Sequence, residues 1–94
     1  MTNETTPAVT VEVTRYAVSL HGEGGVFASI TVEQQGSGRW AITLAPDIMD
    51  VDHEWSYVPP ASERDDEWAA SHLFDHDTAL EMARKEVERQ VREA

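Results

Sequence analysis

Between Val9 and Leu44 apolar residues recur at every second position, and two glycine-bearing turns cut the run into three. A period of two fits strands with one buried face and excludes an amphipathic helix over this stretch. Val9, Val11 and Val13 alternate with Thr10, Glu12 and Thr14. At Arg15 the phase flips, and Tyr16, Val18 and Leu20 continue on the even positions. A bulge near Thr14–Arg15 is expected to keep both sets on one face.

His21-Gly22-Glu23-Gly24-Gly25 reads as the first turn, because glycine reaches positive φ without a steric penalty. Pairing Leu20 with Val26 sets Val18 against Ala28 and Tyr16 against Ile30, so the apolar faces match across the hairpin. Gly36-Ser37-Gly38 reads as a three-residue hairpin loop. Pairing Gln35 with Arg39 then sets Val32 against Ile42 and Ile30 against Leu44. Pro46 ends the third strand. A fourth is expected over Glu54–Val58, before Pro59-Pro60. Ser62 to Glu67 reads as a charged loop, and Trp68 to Phe74 fits either extended chain or a helical turn.

The last segment carries a helical period. Leu80, Ala83, Val87, Val91 and Ala94 share one stripe. Asp75, Asp77 and Thr78 all offer N-caps, and Thr78 with Glu81 matches a capping box. Glu81 with Lys85, and Glu88 with Arg92, have favourable i,i+4 spacing. The expected fold class is α+β: a three- or four-stranded antiparallel meander with one C-terminal helix packed on one face. Residues 1–7 are expected to form a flexible lead to a single domain over 8–94. The other sheet face, with Phe27, Ser29, Thr31, Ala41 and Thr43, is short-chained and only mildly polar, which suggests a homodimer.

Charge is distributed unevenly along these elements. The net charge is -11, yet residues 1–44 hold four acids and two bases, and residues 78–94 hold four of each. Residues 45–77 hold ten acids and only Arg64. Such a surface repels nucleic-acid backbones and anionic membranes, and it suits a basic protein partner. The same segment carries Trp55, Tyr57 and Trp68, residue types favoured as interface anchors. Asp50, Asp52, Glu54, Trp55, Tyr57, Asp65, Asp66, Glu67 and Trp68 are therefore the candidate partner-binding residues. The same acids have structural duties to offer, as helix caps, as solubilising loop residues, or as ion-pair partners of Arg39 and Arg64.

Catalytic and metal motifs are incomplete. Asp50-x-Asp52-x-Glu54 opens like a calcium loop, but Trp55 stands where the sharp-turn glycine is needed and Ala61 where the bidentate glutamate belongs. The alternative reading is a small metal-binding or metal-dependent protein using His53, His72 and His76 with nearby carboxylates. Absence of cysteine excludes thiolate ligands, disulfides and thiol catalysis. Gly22-Glu23-Gly24-Gly25 joins two strands and lacks the helix N-terminus of a phosphate loop. The serines lack a nucleophile-elbow context. An enzyme is not expected, and no cofactor is assigned. The polar start, Met1 to Pro7, does not read as a signal peptide, so a cytoplasmic protein is expected.

Arg39-Trp40-Ala41-Ile42, Glu54-Trp55-Ser56-Tyr57-Val58-Pro59, Ser62 to Trp68 and Phe74 to Leu80 together resemble small uncharacterised proteins of actinobacteria and their phages. The resemblance covers a little over half the chain and implies a strand–strand–helix order and a phage setting. Small acidic phage proteins include inhibitors that bind host machinery, some by mimicking nucleic acid. What the resemblance implies is thus an inhibitor of a host factor acting through residues 45–77.

Overall fold

A computed structural model describes residues 7–93, with only the backbone at Phe27. The lead expected over residues 1–7 lies outside the described residues except for Pro7, as do Ala94 of the helical stripe and the side chain of Phe27. The elements are β1 (Arg15–Gly22), β2 (Gly25–Gln34), β3 (Trp40–Leu44), β4 (Asp47–Met49), β5 (Trp55–Tyr57), a 3-10 turn (Ala61–Glu63), α1 (Asp66–His72), β6 (Leu73–Phe74) and α2 (His76–Arg92).

β1 to β5 form an antiparallel meander in chain order, and β6 pairs with β3. The α+β class and the meander are as expected, but among the described residues the sheet has six strands rather than three or four. The two extra strands, β4 and β6, share one edge of β3. Thr43 and Leu44 pair with Ile48 and Asp47, while Trp40 and Ala41 pair with Phe74 and Leu73. Strands of two or three residues carry no readable period, so alternation alone does not reveal them.

The second hairpin has the expected register. Val32 faces Ile42, the Gln35 amide donates to the Arg39 carbonyl at 2.7 Å, and Gly38 takes the positive φ (83°) of the loop. The first hairpin is displaced by two residues. Leu20 faces Ala28, Val18 faces Ile30 and Tyr16 faces Val32. The displacement comes from an irregularity between Leu20 and His21, which closes the turn tightly at Gly22–Gly25. A shift of two keeps every side chain on its face, so the expected buried set survives.

The Val9–Val13 strand does not form. Residues 7–14 have no regular structure, and Val9 and Val11 are 96% and 91% exposed. The bulge expected near Thr14–Arg15 is absent, because β1 begins at Arg15. The physical reason is lack of a neighbour. The last bond from β2 to this side is Gln34 amide to Thr14 carbonyl, 2.8 Å, and beyond Gln34 the chain turns away. β-propensity without a partner strand does not hold a strand in place.

Two cores result, one on each face. Under α2 lie Ile30, Val32, Trp40, Ile42, Met49 and Phe74, with Ala79, Ala83 and Val87 from the helix. On the other face Ala41, Ile48 and Leu73 are covered by Val58, Trp68 and Ala69. A face expected to be open is therefore half covered by α1, and the surface suggested for dimerisation is reduced to the β1–β2 end. Leu73 and Phe74 are adjacent in sequence and enter opposite cores, so β6 is where the chain crosses from one face to the other.

α2 starts at the Asp75 cap, whose carboxylate accepts from the Thr78 amide at 2.8 Å. Thr78 is inside the helix, so the capping box with Glu81 does not form. The buried stripe is also rotated. Ala79, Ala83, Glu86 and Val87 are buried, while Leu80 and Val91 are only partly so. Small residues at positions 79 and 83 let the helix axis approach the sheet closely, which turns the bulkier Leu80 to the flank. Among the described residues the arginine–glutamate pairs on α2 are Arg84–Glu81, Arg89–Glu86 and Arg89–Glu93, and the two expected i,i+4 pairs are absent.

Candidate functional site

Segment 45–77 divides into two structural pieces. The first is the β4–β5 hairpin. Asp50 organises its turn by accepting from the amides of Asp52 (2.8 Å) and Glu54 (3.0 Å), and His53 takes a left-handed φ of 64°. Aspartate at the head of a turn commonly bonds the backbone two residues on. Asp50 thus shapes the loop, while Asp52 and Glu54 remain exposed.

Trp55 and Tyr57 lie on the α2 face of β5, since Trp55 pairs with Met49 and Tyr57 with Asp47. Their fates differ because α2 covers only one of them. Trp55 packs against the first core and donates from Nε1 to Glu86 Oε2 at 3.4 Å. Tyr57 is 76% exposed, in a row with Asp47 and the exposed Leu44 of β3. Among the described residues β5 pairs only with β4, so its outer edge is open.

The second piece is α1. Asp65 is its N-cap, accepting from the Trp68 amide at 2.8 Å. Asp66 and Glu67 occupy the first turn, where the helix dipole favours anions. Trp68 packs on the second core. Its ring stacks on His72 (4.8 Å between centroids, 9° between planes), and the Arg64 guanidinium lies 5.9 Å over it. Both candidate tryptophans are therefore partly core residues, one for each face. Arg64 donates to the Pro59 carbonyl at 2.7 Å and Arg39 to the Leu73 carbonyl at 2.6 Å, so both arginines fix the backbone of this segment.

The hairpin meets α1 where the Val51 amide donates to the Ser71 carbonyl at 2.8 Å. That contact is at the C-terminal end of α1, away from the capping acids. Asp75 and Asp77 begin α2, on the opposite side of the sheet. The acids of this segment are thus spread over β4, the hairpin turn, the 3-10 turn and the starts of both helices.

His53 is exposed on the hairpin turn, and His72 and His76 are engaged separately. The Trp68 carbonyl can only accept, so His72 Nδ1 carries a proton and donates to it at 2.9 Å. His76 donates from Nδ1 to the Asp77 carboxylate (2.9 Å), and its Nε2 meets the Tyr16 hydroxyl at 3.0 Å. Its ring packs edge-on to both Tyr16 and Trp40. Among the described residues no three His, Asp or Glu side chains converge as a metal site.

Sequence reasoning missed Glu86, a carboxylate only 1% exposed. Arg89 holds it through both oxygens, and Gln90 donates to it at 3.0 Å. These bonds, led by Arg89, keep its carboxyl below the usual range against the opposing effect of burial. The available signal was its position: Glu86 lies on the same helical face as Ala79 and Ala83, with Arg89 and Gln90 three and four residues on.

Capping gives a direct prediction. Asp65→Ala is expected to cost about 1 kcal/mol in urea unfolding, and Asp65→Asn a few tenths or less, because asparagine caps nearly as well. Equal losses in the two variants would remove the capping role. Among the described residues no helix is long and apolar enough to cross a membrane. No known protein family, curated protein or solved structure matches this sequence.

Proposed function

We propose that the chain is a protein-binding module that takes a basic, extended segment of its partner along the open edge of β5. The observation that carries this reading is Tyr57, 76% exposed on an edge strand with no outer neighbour among the described residues. Addition of a strand satisfies edge backbone groups through main-chain hydrogen bonds, and a side chain such as tyrosine supplies the anchor. Asp47 stands beside Tyr57, and Asp52 and Glu54 line the turn that leads into β5. Carboxylates so placed favour a basic segment and raise its association rate. Asp65, Asp66 and Glu67 add a second, more distant acidic group. In the phage setting implied by the resemblance, the partner is a host factor and binding inhibits it.

The test is capture from an actinobacterial lysate on the immobilised chain, at low and moderate salt. Wild type should retain a basic protein whose recovery falls with salt. Tyr57→Ser should lose most of it. Asp52→Asn with Glu54→Gln should slow association more than it speeds dissociation. Asp65→Asn with Asp66→Asn and Glu67→Gln should have the smaller effect. Salt-insensitive capture, undiminished in Tyr57→Ser, would overturn the reading.

A further inference from the structure

The meander has two outer edges of different character. The β5 edge is acidic. The β1 edge, with the segment before it, carries only Glu12 and Arg15 over residues 7–20 and is neutral overall. In a chain of net charge -11, this is a strip along which two copies can approach without strong repulsion.

Residues 8–14 form an arm with β-branched side chains at Val9, Thr10, Val11, Val13 and Thr14. Val9 and Val11 are almost fully exposed, and Val13 is 56% exposed. Among the described residues no strand pairs with this arm. β2 ends at Gln34, whose amide reaches Thr14 and no further. The arm also runs straight into β1 without a turn, so it cannot fold back onto the β1 edge. That edge is itself open, since β1 pairs only with β2 among the described residues.

We infer that the arm and the β1 edge are a self-association surface, and that two copies pair antiparallel along residues 8–20 to give one continuous sheet. A second copy is the occupant that closes the arrangement. With the two-fold axis perpendicular to the sheet, each arm covers the other copy's β1 edge, so neither arm nor β1 edge is left over, while both β5 edges stay open. That symmetry keeps odd residues opposite odd ones, so Val9, Val11 and Val13 stay on one face. Charge restricts the register further. An axis through Glu12 sets the two glutamates opposite each other, and one through Arg15 does the same to the arginines. The axis therefore falls at Val13 or Thr14. Centred on Thr14, Val11 lies opposite Ala17 and Val9 opposite Ser19, small side chains on the half of the sheet that α1 leaves bare. The strip uses roughly half the 20–30 residues per side of a standard interface, which places the dimer at the weak, micromolar-or-above end.

Light scattering of the full chain from low micromolar to about 1 mM tests the inference. The mass should rise to twice that of one chain, and amides 8–14 should gain hydrogen-exchange protection with concentration. Val11→Pro and Val11→Lys should each weaken dimerisation at least about tenfold while leaving thermal unfolding of the monomer unchanged, because the arm is outside both cores. Tyr57→Ser should dimerise like wild type, which separates this surface from the β5 edge. A monomer throughout, or a dimer indifferent to Val11→Pro, overturns it.

Discussion

Trp40→Ala is expected to cost about 3–5 kcal/mol of folding stability. The residue sits at the junction of the molecule. It begins β3, pairs with Phe74 on one side and Gln34 on the other, and is 6% exposed. Its ring lies 5.6 Å from Tyr16 and 5.1 Å from His76. Truncation leaves a cavity under the first turn of α2 and also removes two aromatic contacts, each worth about 0.5–1.5 kcal/mol in aromatic pairs. Small domains have about 5–15 kcal/mol in total, and a chain of this length lies toward the low end. The variant should therefore be largely unfolded well below the wild-type melting temperature. Urea unfolding should show the loss as a lower midpoint at a similar slope, with Trp40→Phe intermediate. A loss under about 1 kcal/mol would mean that the ring does not fill the core in solution.

Glu86→Ala is expected to cost about 1.5–3 kcal/mol. The carboxylate is the shared acceptor for Trp55, Arg89 and Gln90. Its removal strands a partly buried indole N–H, while Arg89 can still turn to Glu93 at 3.1 Å. Replacing both members of the pair, Glu86→Met with Arg89→Met, should cost less than Glu86→Ala, because methionine refills the buried volume and leaves no guanidinium without its carboxylate, while the Trp55 N–H loses its acceptor in both variants. The pH dependence has a fixed sign. The folded carboxyl titrates below its ordinary range, so its stabilising effect is present above about pH 4.3, where the unfolded group is also ionised. That effect is lost as pH falls through the lower folded value. The stability gap between wild type and Glu86→Gln should therefore narrow on acidification from neutral pH to about pH 3, a difference that cancels the other carboxylates. A gap that stays constant or widens would contradict the arrangement.

The β1–β3 meander and the terminal helix were legible because each carries a long period that needs no partner to be recognised. Ile30, Val32 and Ile42 were fixed as buried by alternation alone, and a register error of two left them so. The concentration of acids and aromatics in residues 45–77 was equally plain. What each of those residues does was decided by tertiary placement. Asp75 was among the N-caps offered by the sequence, but Asp50 and Asp65 read only as surface acids, yet each bonds backbone amides at a turn or helix start. Trp55 and Tyr57 share a strand face, and the reach of α2 makes one a core residue and leaves the other open. The valine arm shows the converse. Its alternation is as regular as that of β1, but a strand exists only where another offers its backbone. Local period sets which face a residue occupies. Whether that face is covered depends on which distant segment arrives, and that information is spread over the whole chain.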